Sequence, residues 1–305
     1  MDLPVRRQFH HRAFRAGELA RSKGAHIITV CLPAKNEERT IAGIVAAIRR
    51  PLMEAHRLVD EIVVVDDRSD DATGAAAAAA GATVVSTDEP MAGLLDGLSA
   101  GTGKGEALWR GLAASSGDLV AFCDADITDF DSRFVVGLIG PLLQDETVAF
   151  VKGFYERPDA DAPGTGGRTT ELVARPIISL LFPSLAGIVQ PLSGEYAARR
   201  SVLESVRFVQ GYGVDLGLLI DVEERMGPAA IAEVDLVSRH HRNRSLEELS
   251  PQALSILQTA FARAGLPATR PATLQIPGLP PLSCPHVERP PLAELRRANA
   301  SRASA

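Results

Sequence analysis

The chain has 305 residues, a formal net charge of −6 and 46 % hydrophobic residues, enough for one large α/β domain or a domain with a sizeable appendage. Mild acidity and an aromatic content of 5 % argue against a nucleic-acid partner, which needs clustered cations and stacking platforms. Three cysteines, Cys31, Cys123 and Cys284, are odd in number and far apart, with two inside apolar runs, so reduced thiols and a cytoplasmic location are expected.

Residues 1–21 are basic and polar, without the apolar core of a signal peptide; they belong to an N-terminal extension, 1–25, with a helix expected near 14–22. An apolar run at 27–32 reads as the first buried strand and ends at Pro33. Asn36 is placed to cap a helix whose first turn carries Glu37 and Glu38, favourable against the positive end of the dipole. The pattern repeats with a strand over 61–66, a turn at 67–70, an Ala-rich helix at 75–80 and a strand over 82–86. A long glycine-containing loop, 87–103, leads to a helix that opens at Lys104 and runs to 115.

Gly101, Gly103, Lys104 and Gly105 do not make an NTPase loop, because Gly105 stands where Ser or Thr must hold magnesium. A helix start carrying a lysine nevertheless suits a diphosphate or a base carbonyl.

Residues 119–126 carry the strongest chemical signal. A buried strand ends there in Asp124 and Asp126, and alternation puts both carboxylates on one side. Two like charges so placed require a cation. Mg²⁺ or Mn²⁺ accepts one or two carboxylates and completes its shell with water and phosphate oxygens, which points to a nucleotide diphosphate. In an acidic protein an isolated Asp-x-Asp is more often a solvated turn; position after a buried strand raises this one.

Alternating strands and helices predict a mainly parallel sheet covered on both faces, with ligands outside the carboxyl ends of its strands. Pro33, Asp66, Ser69, Asp124 and Asp126 fall on that edge. The second half is less regular: a strand over 147–154, a Pro/Gly/Asp-rich loop at 158–167, and a helical stretch from Arg168 interrupted at Pro176 and Pro183. A turn or short strand at 193–196, a helix over 213–226, a strand over 231–237 and a helix over 246–264 follow. The Pro-rich tail, 266–305, is expected to wrap the surface or be partly mobile. No membrane span is expected, since the most apolar run, 177–192, is broken by Pro183.

Pro33-Ala34-Lys35-Asn36-Glu37-Glu38, Val65-Asp66-Asp67-Arg68-Ser69, Gly103-Lys104-Gly105 and Asp124-Ala125-Asp126 together resemble the nucleotide-sugar half of a GT-A glycosyltransferase. Further on, Gly166-Gly167-Arg168-Thr169-Thr170-Glu171-Leu172, Pro191-Leu192-Ser193-Gly194-Glu195-Tyr196, Gly211-Tyr212-Gly213-Val214-Asp215 and His241-Arg242-Asn243-Arg244 resemble, in that order, the glucosyl-3-phosphoglycerate synthase family.

The resemblance implies a GT-A type, Rossmann-like α/β fold, with a nucleotide-sugar domain at 26–153 and an acceptor-binding region at 154–265. Pro33, Ala34, Glu37, Ser69 and Ala125 would border the donor, Lys104 would reach its base or phosphates, and Asp124 its ribose or sugar. Asp126 would bind Mg²⁺ or Mn²⁺ directly, with His241 as the second ligand. Asp215 and Glu195 would orient the sugar, and Asp124, Asp126, Asp215 and Lys104 would carry catalysis.

A phosphoglycerate bears a carboxylate and a phosphate, so its site needs N–H donors and guanidinium forks. Gly167, Arg168, Thr170 and Asn243 are the acceptor candidates, with Tyr212 near the sugar or acceptor. The implied reaction moves glucose from an NDP-glucose to the 2-hydroxyl of 3-phosphoglycerate with retention, in a homodimeric enzyme. Arg68, where the family commonly has Gly, and Asp215, where Glu is expected, bear on base and sugar preference. The rivals are a mannosyl donor or a polyprenyl-phosphate acceptor on the same fold, and a non-catalytic nucleotide-sugar sensor.

Overall fold

The structure is a computed structural model that describes residues 6–89, 91, 94, 98, 101–156, 167–240, 245–266 and 273–303. His241, Asn243 and most of the expected loop at 158–167 lie outside the described residues.

Nine strands concern the site: β1 (Arg7–His10), β2 (Ile28–Ala34), β3 (Glu61–Asp66), β4 (Thr83–Ser86), β5 (Leu119–Phe122), β6 (Phe150–Glu156), β7 (Tyr196–Arg199), β8 (Phe208–Val209) and β9 (Ile231–Ser238). All but β8 form one eight-stranded sheet in the order β1-β9-β6-β7-β5-β2-β3-β4. The pairings are parallel except that β7 runs antiparallel to both β5 and β6. The near-continuous apolar runs of β2, β3 and β5 suit strands buried on both faces.

Helices α1 (Ala16–Ser22), α2 (Ile41–Ile48), α3 (Thr73–Ala79), α4 (Lys104–Ala114), α5 (Arg133–Gln144), α6 (Arg175–Leu181), α7 (Arg200–Leu203), α8 (Val214–Met226), α9 (Leu246–Arg263) and α10 (Leu292–Ala303) surround the sheet. One apolar core joins Leu19, Ile41, Ala77 and Phe134 from α1, α2, α3 and α5 to one face of the sheet. A second joins Trp109, Ile177, Leu216, Ile256 and Leu292 from α4, α6, α8, α9 and α10 to the other.

Several expectations are corrected. Asn36 caps no helix: it adopts a left-handed backbone, φ 58°, and α2 begins only at Ile41. Its side-chain oxygen instead accepts from the Asp70 N–H at 2.8 Å, tying the loop after β2 to the loop after β3. Pro176 does not interrupt a helix but sits in the first turn of α6, where its missing N–H is not needed.

The expected N-terminal extension supplies β1, which pairs in parallel with β9 at the edge of the sheet. The sheet likewise runs through both expected regions, because β6, β7 and β9 lie between β1 and β5. The Pro-rich tail packs closely: Glu288–Arg289 pairs antiparallel with β8, and Trp109 Nε1 donates to the Pro290 carbonyl at 3.0 Å.

Candidate active site

The carboxyl ends of β2, β3 and β5 open onto a cleft of about 1780 Å³. Pro33, Ala34, Glu37, Lys104, Asp124, Ala125 and Asp126 line its sheet side, and Gly167, Arg168, Thr170, Tyr212 and Asp215 line it from the second half. Lys104 and Asp215, 111 positions apart in sequence, meet here because β7 inserts beside β5 and α8 comes over the same edge. Ser69 is not part of this lining. Its hydroxyl accepts from the Asn36 N–H at 2.9 Å and so holds the loop beneath Glu37.

Asp67 is 6 % exposed and fixes the start of α4: one oxygen accepts from the Gly103 N–H at 2.9 Å, the other from Thr87 Oγ1 at 3.0 Å. Lys104 therefore enters the cleft from a held helix start. Its ammonium lies 2.9 Å from Asp124 Oδ1 and 3.1 Å from Asp215 Oδ2. Gly194 lets Asp124 sit where it does, since a Cβ there would lie 2.2 Å from Asp124 Oδ2.

The opposite side of Asp124 is held by Arg239, which follows β9 and which nothing in the local sequence singles out. Its Nη2 lies 3.0 Å from Asp124 Oδ2 and 2.6 Å from Asp126 Oδ1. Its Nη1 lies 3.2 Å from Glu195 Oε2 and donates to Tyr155 Oη at 2.6 Å. The available signal was position: β9 is parallel to β6, so Arg239 follows a strand whose carboxyl end shares the ligand edge.

Glu195, expected to orient a sugar, is fully buried and serves the site from behind. Its carboxylate engages Arg239 and lies 3.5 Å from the Asp124 N–H.

The charges follow from burial set against ion pairing. Burial alone would raise the Asp124 carboxyl, but Lys104 and Arg239 override it and hold the group well below the usual carboxylate range. Burial likewise opposes the Lys104 ammonium, yet Asp124 and Asp215 stabilise it. Burial dominates at Asp215 and Glu195 and pushes both upwards despite their cationic partners. The result is an ion-paired floor in which Glu195 and Asp215 are buried while Asp124 and Asp126, with side chains 21 % and 20 % exposed, both face the cleft.

Among the described residues no three metal-ligating side chains cluster. A hard divalent ion held by one or two carboxylates and by phosphate oxygens does not need such a cluster, and Asp126 suits that mode. On the far wall, Thr170 is 4 % exposed, and Arg168 and Gly167 precede the turn Thr170–Ala174 that leads into α6. A guanidinium, a hydroxyl and backbone N–H groups are the donor types that an anion site needs.

Comparison with known proteins gives a consistent picture. The model of glycosyl transferase family 2 matches residues 29–207. The glucosyl-3-phosphoglycerate synthase of Mycobacterium tuberculosis strain H37Rv is 43 % identical over 312 aligned positions, which cover 96 % of this chain and 94 % of the relative. The glucosyl-3-phosphoglycerate synthase of Petrotoga mobilis is 41 % identical, with 86 % and 82 % covered.

A crystal structure of the M. tuberculosis enzyme with Mn²⁺, UDP-glucose and phosphoglyceric acid matches at a TM-score of 0.87 and 43 % identity, covering 97 % of this chain and 100 % of that one. Another, with Mn²⁺, UDP and glucosyl-3-phosphoglycerate, matches at 0.85 and 42 %, covering 96 % and 100 %. A third holds Mg²⁺ and UDP and matches at 0.85 and 42 %, with the same coverage.

Proposed function

The chain belongs to glycosyl transferase family 2 and, within it, to the glucosyl-3-phosphoglycerate synthases, and from that premise we propose that it moves glucose from UDP-glucose to the 2-hydroxyl of 3-phosphoglycerate with retention of configuration. The observation that carries this reading is the meeting of Lys104, Asp124, Asp126 and Arg239 at the end of β5, opposite a wall bearing Arg168 and Thr170. UDP is favoured over other nucleotides by the complexes of the M. tuberculosis relative.

In the proposed reaction the bond from the anomeric carbon to the diphosphate oxygen breaks. A bond to the acceptor hydroxyl oxygen forms on the same face, and the hydroxyl proton passes to the departing diphosphate. Mg²⁺ or Mn²⁺, held by Asp126 and His241, would supply Lewis-acid stabilisation of the leaving group.

The chain's own residues do the rest. Lys104 brings a second positive charge to the diphosphate. Pro33, Ala34, Glu37 and Ala125 border the nucleoside, with Ser69 supporting their loop. Asp124 and Asp215 meet ribose or sugar, and Tyr212 closes over sugar or acceptor. Gly167, Arg168, Thr170 and Asn243 bind the carboxylate and phosphate of the acceptor. Donor binding thus falls mainly to 26–153 and acceptor binding to 154–265.

The cytoplasmic location and the homodimer belong to this proposal too. No described helix is long and apolar enough to cross a membrane. Exposed Leu172 and Leu180, at 74 % and 76 %, offer apolar surface for a second copy, which light scattering tests directly.

The deciding experiment measures nucleoside-diphosphate release from UDP-, GDP- and ADP-glucose and GDP-mannose, with and without 3-phosphoglycerate and Mg²⁺. The expected result is release that needs UDP-glucose, acceptor and metal together. Donor binding without release under any condition would instead identify a sensor.

A further inference from the structure

Lys152 is a buried charge that the reaction above does not use. It lies in the middle of β6, is 1 % exposed, and stands opposite Tyr196 on β7 and Glu233 on β9. Cross-strand partners share a face, so these three side chains lie on the face covered by α4 and α8. The Lys152 ammonium sits 4.6 Å from the centre of the Tyr196 ring. Among the described residues it has no hydrogen-bond partner, and neither do the buried Tyr196 hydroxyl and Asp215 Oδ1. Buried polar atoms are normally bonded, and a methionine would pack in that position without the cost of desolvating an ammonium.

The charged groups around Lys152 come from every element packed against it. Asp215 on α8 attracts it most strongly; Glu195 and Asp124 attract it less, and Lys104 on α4 repels it. Glu233 on β9 already accepts from the Val189 N–H at 2.7 Å and from Gln8 Nε2 at 3.2 Å.

In this structure Asp215 Oδ2 is paired with Lys104, which is shared with Asp124. A diphosphate entering the cleft competes for the Lys104 ammonium, and a carboxylate buried as deeply as Asp215 takes up a proton unless another cation stands near. Lys152 makes no ion pair with Asp215 in this structure, yet Asp215 is the carboxylate that attracts it most and both have an unpartnered buried atom, so it is the next cation available.

We propose that Lys152 is a positioning residue for the transfer: it keeps Asp215 as a carboxylate turned towards the donor sugar once Lys104 engages the diphosphate. The inference rests on the reading of the cleft as a glucosyl-donor site. Lys152 touches neither substrate and acts only through Asp215.

The test uses the full chain with Lys152→Met, Lys152→Arg, Asp215→Asn and the Lys152→Met/Asp215→Asn double variant, assayed for UDP release from UDP-glucose with 3-phosphoglycerate and Mg²⁺. Lys152→Met should lower kcat roughly 10- to 100-fold, the usual effect of losing a group that orients a residue at the site, while both KM values stay within about threefold. Lys152→Arg should recover part of the loss.

Burial lowers the Lys152 ammonium to about 8, so wild-type kcat should fall above that pH and the limb should vanish in Lys152→Met. Asp215→Asn should cost much less in the Lys152→Met background than in the wild type. Lys152→Met should also raise the Tm, which a merely structural role would lower.

A Lys152→Met enzyme with kcat within about twofold of wild type and an unchanged alkaline limb overturns the proposal. If the wild type itself releases no UDP with this pair, the functional reading fails. The coupling of Lys152 to Asp215 is then judged by the same four proteins in thermal unfolding, where additive changes overturn it.

Discussion

Arg239 joins four groups with one guanidinium, meeting Asp124, Asp126, Glu195 and Tyr155 while only 3 % exposed. Removing one member of a buried ionic network leaves the others uncompensated, so Arg239→Ala should lower unfolding free energy by about 3–5 kcal/mol, read from urea denaturation. Asp126, which lines the cleft, has a different proposed task, that of holding the metal. Asp126→Ala should leave the fold standing and cut metal-dependent turnover on the order of 10²–10³, with Mn²⁺ titration no longer rescuing the rate. The carboxylates were evident in the sequence because a charged pair after an apolar run is a local signal. Arg239 was hidden, because a cation in a basic stretch looks solvated until the strand order places it against three carboxylates.

At the scale of elements, α4 is the part of the fold that must not move, because its first residue is Lys104. Its rear is fastened to the C-terminal tail: Glu106 is fully buried and bonds Arg110 Nε at 2.8 Å and Arg289 Nη2 at 2.9 Å. Gly105 lets β8 approach, since a Cβ there would lie 1.7 Å from the Val209 carbonyl oxygen. Arg289→Ala should therefore destabilise the chain by about 3 kcal/mol or more and speed amide hydrogen exchange along α4, measured by mass spectrometry. The helix itself was legible, with a glycine-rich approach and a lysine at its start. Its attachment to Glu288–Arg289 was not, because two residues of strand carry no periodicity and their partner lies about 80 positions away.

Across the whole molecule, stability should depend on pH in the alkaline range through Lys152. Burial lowers its ammonium from 10.5 to about 8. Below pH 8 folded and unfolded chains both hold the proton and the burial cost is felt in full; between the two values only the unfolded chain keeps it. Unfolding free energy should thus rise with pH across that window, on the order of 3 kcal/mol in total, and the rise should be absent in Lys152→Met. On the acid side Glu288 gives a slope of the same sign for the opposite reason, a charged form that the fold favours. Burial opposes its charge, but His286 and Arg263 hold it at about 2, so its contribution is present above 4.5 and lost as pH falls towards 2. Chemical denaturation across the two pH ranges separates these contributions.

The amino-acid sequence by itself determined the alternating strands and helices, the buried run that ends in Asp124 and Asp126, and the lysine at the start of α4, because each depends on neighbours in the chain. Only the tertiary structure decided that β1 completes the sheet, that β7 runs backwards between β5 and β6, and that Arg239 pairs with Asp124 and Asp126 while Lys104 joins Asp124 to Asp215. Those placements depend on which distant strands pair. Pairing follows from the packing of whole faces, which no single stretch of sequence encodes.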